Sequence, residues 1–258
     1  MSGKAASNIS KLRANDSYAE QRADLAAAFR WTVKLGMHEA VANHMSLAVT
    51  EDGKRFLMNP NGRHFGRVRA SDLILLDADD PDTMNAPDAP DPTAWFLHGA
   101  IHRNVKNAAC VLHVHSKYAL ALACLEDKTL PPIDQNSMRF YNRVIIDDDY
   151  GGMGLGDEAE RVSRGFADNP GKPVMVMGNH GVMVIGESVP EAFDLLYYFE
   201  RSCETYITAL STGRPLRIVS DAVARKTCQQ WLDYSGAGDF HFREIRNILN
   251  EEGSDYRD

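Results

Sequence analysis

Long apolar runs are missing from this 258-residue sequence, and with them any segment of the ~20 residues needed to cross a bilayer. The N-terminus, MSGKAASNISKLRAND, has no apolar stretch of the kind that directs secretion. Cysteine is scarce: Cys110, Cys124, Cys203 and Cys228 are scattered and form no C-x-x-C pair. Such thiols among apolar neighbours read as reduced core residues, so the expected compartment is the cytoplasm. An excess of positive charge is lacking too. With 28 basic against 36 acidic side chains the net charge is −8, which argues against nucleic acid and anionic membranes as partners. There is no internal repeat and no low-complexity tract. What remains, 44% hydrophobic and 25% charged, is ordinary for a globular protein and fits one large α/β domain or two small ones.

Residues 1–15 are polar and are expected to be flexible, ahead of a domain over 16–258 that ends in a helical tail. Apolar spacing predicts a helix from Asp16 to Leu35, stopped by Gly36. Ser46–Val49 and Arg55–Met58 flank Glu51-Asp52-Gly53-Lys54, a hairpin signal, because Asp-Gly tolerates the positive φ of a tight turn. Leu73–Leu76 reads as a buried strand. The proline-rich stretch Asp79–Pro92 fits a surface loop and leads into a helix capped by Asp91, with Pro92 in its first turn. Strand Cys110–His115 passes straight into helix Ser116–Leu125. After a glycine-rich turn region, Asp147–Asp157, a helix is expected over Glu158–Ala167 and strands over Pro173–Met177 and Val182–Ile185. Ser188-Val189-Pro190-Glu191 opens a long amphipathic helix, and two more helices lie near Asp221–Tyr234 and Phe240–Asn250. Interleaved strands and helices favour a single α/β domain of stacked layers.

Nine histidines are present, and their spacing carries the chemistry. In Cys110-Val111-Leu112-His113-Val114-His115, strand alternation puts His113 and His115 on one face, with Cα atoms roughly 6.5–7 Å apart. Two imidazoles so placed can converge on one ion, although two polar residues on a solvated strand face fit the same pattern. His180 sits in the Gly-bounded turn Gly178-Asn179-His180-Gly181, a rigid place to aim a ligand and equally an ordinary turn. Three histidines together would leave open positions for water or substrate, the pattern of a catalytic metal.

The order of these motifs resembles the class II aldolase/adducin family. LHGAIHRNVKNAACVLHVHSKYALALA and PVMVMGNHGVMVIGESVPEAFDLLYYFE carry the likeness, with ANHMSLAV and FLMNPNGRHFGRVRASDLILLD upstream, over roughly residues 20–215. The resemblance implies a single-domain α/β/α sandwich with a largely antiparallel sheet, assembled as a homotetramer with sites between subunits. It also implies one divalent metal, most often zinc, on His113, His115 and His180. In the family's sugar-phosphate aldolases a glutamate four residues before the next helix's histidine moves protons. Counted back from His98, that slot holds Ala94.

Without that carboxylate, the sugar-phosphate mechanism does not carry over intact. A metal Lewis acid still suits bond cleavage that leaves electrons beside a carbonyl, so the expectation moves toward a decarboxylase or an atypical aldolase acting on a small oxygenated carboxylate. Asn43, Asn61, Gly62 and Thr93 are the candidate substrate-binding residues, and His44 and Gln135 the candidate catalytic ones. His44 faces the pocket or caps local backbone. Gln135 falls where phosphate aldolases carry a tyrosine donor. His98 and His102, one helical turn apart, read as packing or substrate contacts, and Arg63, His64 and Arg67 as a solvated loop. Two rival classes stay open: a non-catalytic adducin-like interaction module, and a non-haem iron oxygenase on the same scaffold. Manganese and iron(II) therefore stand beside zinc.

Overall fold

Short runs of β-branched and apolar residues pair into one sheet, and the helices between them fall on its two faces. A computed structural model describes residues 18–80, 82–85, 89–152, 158–234 and 236–258. Residues 1–15 and part of the 147–157 turn region lie outside the described residues. The strands are β1 (His44–Ala48), β2 (Arg55–Met58), β3 (Ile74–Asp77), β4 (Cys110–Val114), β5 (Val144–Asp147), β6 (Val174–Met177) and β7 (Gly181–Gly186). Their order is β3-β2-β1-β4-β7-β6-β5, with every neighbouring pair antiparallel except β5 and β6. The helices are α1 (Ala19–Lys34), α2 (Pro92–Asn104), α3 (Lys117–Ala123), α4 (Gln135–Met138), α5 (Glu158–Ala167), α6 (Val189–Ser211), α7 (Asp221–Asp233) and α8 (Ala237–Glu251). No helix among the described residues is long and apolar enough to cross a membrane.

Alternation along the strands builds two cores. Cys110, Leu112 and Val114 of β4 join Met45 and Leu47 of β1, Leu25 and Phe29 of α1, Leu122 of α3, Phe193 and Phe199 of α6, and Ile245 of α8. The opposite parity, Val111 of β4 with Met183 and Ile185 of β7, packs on Leu97 and Ile101 of α2 and Val162 and Phe166 of α5. The sheet is thus covered on both faces, giving the α/β/α sandwich that the sequence suggested. Burial of this apolar area, at ~25 cal/mol per Å², is the main source of stability.

Local signals placed most elements. Asp91 caps α2, its carboxylate accepting from the amides of Thr93 and Ala94. Ser188 accepts from the Glu191 amide at the start of α6, while Glu191 closes on the Glu187 amide one residue earlier than the capping-box spacing would put it. Gly53 has φ +66°, and a Cβ there would lie 2.0 Å from the His102 carbonyl oxygen, so both backbone conformation and space require glycine. Two strand boundaries differ from expectation in ways that matter to the site. β1 starts at His44 rather than Ser46, which pairs His44 with His113 across the sheet. β4 ends at Val114, so His115 is the first residue beyond it.

Candidate metal centre

The β1–β4 register lays His44 beside His113 and Ser46 beside Val111, on the sheet face covered by α2. His113 is buried, and its Nδ1–H donates to the Val182 carbonyl at 3.1 Å. His115 directs its Nδ1–H to Glu39 Oε2 at 2.5 Å. A backbone carbonyl and a carboxylate both only accept, so each neutral ring keeps its proton on Nδ1 and turns an Nε2 lone pair inward. These two Nε2 atoms are 3.0 Å apart, a separation two nitrogens can take when each is ~2.0–2.1 Å from one ion. No proton lies between them, so the contact is two lone pairs facing each other unless a cation sits there. His180 completes the group: one ligand atom from each of the three lies within 4.8 Å of the others.

Backbone geometry makes room for this cluster. Asn179 adopts φ +56° in the β6–β7 turn, which Asn tolerates, and the turn projects His180 toward β4. At Gly181 a Cβ would meet His115 Cδ2 and the Val114 carbonyl oxygen at 2.8 Å, so only glycine lets β7 begin beside the two rings. His180 Nδ1 is buried with no hydrogen-bond partner among the described residues, and Glu158 Oε1 is 3.6 Å away, beyond hydrogen-bond reach. Burial pushes the His113 pKa well below the ordinary imidazole value, with the neighbouring histidines adding to the shift. Burial also lowers His115, against the opposing pull of Glu39. The His113 and His115 rings are therefore held neutral, as metal ligands must be. A facing pair of lone pairs, a third ring within 4.8 Å of it and carboxylates behind two of the rings together fit a divalent cation.

His44 lies against the centre rather than capping backbone. Its ring stacks on His113 with centroids 4.8 Å apart, and its Nδ1 is 2.7 Å from His98 Nε2. His98 Nδ1 is 2.5 Å from Ser46 Oγ, which is 2.7 Å from His102 Nε2, and His102 Nδ1 meets the Ala108 carbonyl at 2.9 Å. Burial pushes His44 down to about 3 and His102 to about 4. His98 and His102 are therefore bonded to His44 and Ser46, not to the three-histidine group.

The remaining sequence candidates have distinct placements. Asn43 is buried; its Oδ1 accepts from the Glu39 amide at 2.7 Å, and its Nδ2 has no partner among the described residues. Asn61 and Gly62 are exposed in the turn after β2, and Asn59 ties that turn to β1 by accepting from the Met45 amide at 3.2 Å. The Thr93 hydroxyl donates to Asp91. Gln135 starts α4, exposed, with its carbonyl accepting from Trp231 Nε1; no contact among the described residues joins it to the histidines. Ala94 is buried with Phe56, Ile74 and Trp95, and offers no carboxylate. Arg63 pairs with Asp72, and His64 Nε2 is 3.1 Å from His38 Nε2. Glu39 and Glu158 had no sequence signal: Glu39 lies in a loop and reaches a partner 76 residues away. Glu200 was missed for the same reason. Its carboxylate accepts from Ser116 Oγ and from the amides of Tyr118 and Ala119, closing the start of α3 just after His115.

An α/β/α sandwich with a histidine group at the end of its central strand defines a class that the comparisons identify. Residues 23–207 match the class II aldolase and adducin N-terminal domain, and the chain belongs to that family. It is 31% identical to an aldolase class 2 relative from Pseudomonas aeruginosa, covering 76% of this chain and 74% of that one. It is 28% identical to the decarboxylase NovR of Streptomyces niveus, over 83% of this chain and 80% of NovR. It is 29% identical to the 4-hydroxy-3-prenylphenylpyruvate oxygenase/4-hydroxy-3-prenylbenzoate synthase of Streptomyces roseochromogenus, over 83% and 78%. Among solved structures, an aldolase II superfamily protein from Pseudomonas syringae superposes with a TM-score of 0.85 at 29% identity, covering 96% of this chain and 99% of that one.

Proposed function

We propose that this chain is a divalent-metal-dependent carbon–carbon lyase, an aldolase or decarboxylase, acting on a small oxygenated carboxylate. The observation that carries the reading is the inward-facing Nε2 pair of His113 and His115, 3.0 Å apart, with His180 beside it. These three residues would hold one ion, with zinc expected first and manganese or iron(II) as alternatives. When bound, the ion supplies a Lewis acid for the electrons left beside a carbonyl when a carbon–carbon bond breaks.

The chain's own groups do the rest. Glu39 orients His115 through Nδ1 and Glu158 stands behind His180. Asn43, whose buried Nδ2 has no partner among the described residues, and Asn61, Gly62 and Thr93 are the proposed substrate-binding residues. His44 presents its ring beside His113 for hydrogen bonding to the substrate. Gln135, exposed on α4, suits a contribution to a neighbouring copy's site in a homotetramer. Free thiols at all four cysteines agree with a reducing, cytoplasmic setting.

Metal analysis of protein purified without chelator tests the reading, with about one ion per chain expected. His113→Ala should lose both the ion and turnover in a screen of oxo- and hydroxy-carboxylates that reads carbon dioxide and aldehyde release. Metal retained in that variant overturns the site. An oxygenase is the second reading, favoured by the likeness to the Streptomyces roseochromogenus oxygenase, and iron(II)-dependent oxygen uptake would establish it instead. The absence of a carboxylate at Ala94 favours an interaction module, which a metal-free but stable native protein would support.

A further inference from the structure

The hydrogen bonds behind His44 have only one consistent direction. The Ala108 carbonyl has no hydrogen, so His102 Nδ1 must carry the proton of its 2.9 Å contact. A neutral imidazole has one N–H, so His102 Nε2 is an acceptor, and Ser46 must donate its single hydroxyl hydrogen to it. The Ser46 oxygen is then left to accept from His98 Nδ1, which makes His98 Nε2 an acceptor. His44 must therefore donate from Nδ1, and its Nε2 is a lone pair. That Nε2 has no hydrogen-bond partner among the described residues, and the ring carrying it stacks on His113. Because the chain ends on a carbonyl, which cannot pass a proton onward, it is an anchor and not a wire to solvent.

We propose that Ser46, His98 and His102 are positioning residues that lock His44 as its Nδ1–H tautomer, so that the site selects a carboxylate substrate bearing a hydroxyl at His44. A lone pair held beside the histidine group accepts an O–H; a carbonyl or second carboxylate oxygen there would set lone pair against lone pair. The inference rests on the proposed site for its substrate half, whereas the tautomer half stands on hydrogen bonding alone.

Long-range proton–nitrogen correlation spectra of isotope-labelled, metal-free protein at neutral pH read the tautomers directly. His44, His98 and His102 are expected to be protonated at Nδ1, with assignments from single His→Gln variants. Ser46→Ala removes the directing hydroxyl, so the His44 signal should shift toward the Nε2–H form, and Ser46→Thr should restore it. In metal-loaded protein, 3-hydroxypropionate should bind at least about tenfold more tightly than propionate, and Ser46→Ala should erase that preference at unchanged metal content. An Nε2–H His44 in the native chain overturns the proposal even if Ser46→Ala does not fold, as does a Ser46→Ala protein that keeps tautomer and preference. If His113→Ala shows that the histidines hold no ion, the functional reading fails while the metal-free spectra still decide the lock.

Discussion

Glu200 is a severe test of how the fold supports the site. It projects from α6 to the first turn of α3, where Ser116 makes no side-chain cap of its own. Its carboxylate accepts from Ser116 Oγ at 2.7 Å, Tyr118 N at 2.9 Å and Ala119 N at 2.8 Å, and the residue is 7% exposed. Glu200→Ala leaves two amides and a hydroxyl without an acceptor and removes a negative charge from a helix N-terminus. Breaking one side of a buried charged network costs about 3–5 kcal/mol, in line with ~1.5–3 kcal/mol for each charge-assisted bond less what water recovers. For a chain of this size the melting point should fall by roughly 10 °C. Glu200→Gln keeps one acceptor oxygen but turns an amide N–H₂ against a donor, so about 1–3 kcal/mol is expected. Urea and thermal unfolding followed by circular dichroism measure both. His115 is the residue between β4 and the Ser116 cap position that this carboxylate holds, so the Ala variant should bind metal about tenfold more weakly. A Glu200→Ala protein within about 1 kcal/mol of the parent would refute the assignment of this contact as the external cap of α3.

Two further outcomes follow from buried groups. Burial holds His102 at about 4 and His44 at about 3, and His98 well below its ordinary value. The unfolded chain therefore binds protons that the native one refuses. Stability should be complete above pH ~6.5 and should fall on acidification by about 4 kcal/mol per pH unit near pH 5 for the three groups together. Urea midpoints of metal-free protein across that window check this, and a flat profile contradicts neutral burial. Gly53→Ala combines positive φ with a 2.0 Å approach to the His102 carbonyl oxygen. It should cost at least ~1–2 kcal/mol and disturb the His102 signals, whereas a neutral effect in denaturation would show that the hairpin relaxes freely.

What was legible in the sequence was what is decided locally. The Asp91 cap, the Gly53 turn and the alternation of His113 with His115 each depend on neighbours a few residues away. β5 was not legible: Val144–Asp147 is an edge strand with one buried residue, so it carries no period-two signal, and its last residue opens an aspartate run. The start of β1 was placed two residues late because His44 is buried by hydrogen bonding and ring stacking, which hydropathy does not register. The carboxylates escaped for a related reason. Glu39 and Glu200 meet partners 76 and 84 or fewer residues away in sequence, and no local pattern marks either.

The −8 net charge poses a problem for a protein proposed to bind anionic substrates, and the site geometry answers it. The basic residues nearest the sequence motifs are already paired, Arg63 and Arg69 with Asp72 and Arg161 with Asp147. Around the histidine group stand Glu39 and Glu158, while His113, His115 and His44 are held neutral by burial. Two carboxylates among neutral imidazoles make a potential that attracts a cation and repels an anion. On the proposed reading, then, the ion does more than polarise a carbonyl: it reverses the sign of the site. A substrate carboxylate would find its counter-charge there, and the His44 lone pair would be left to discriminate by the hydroxyl alone.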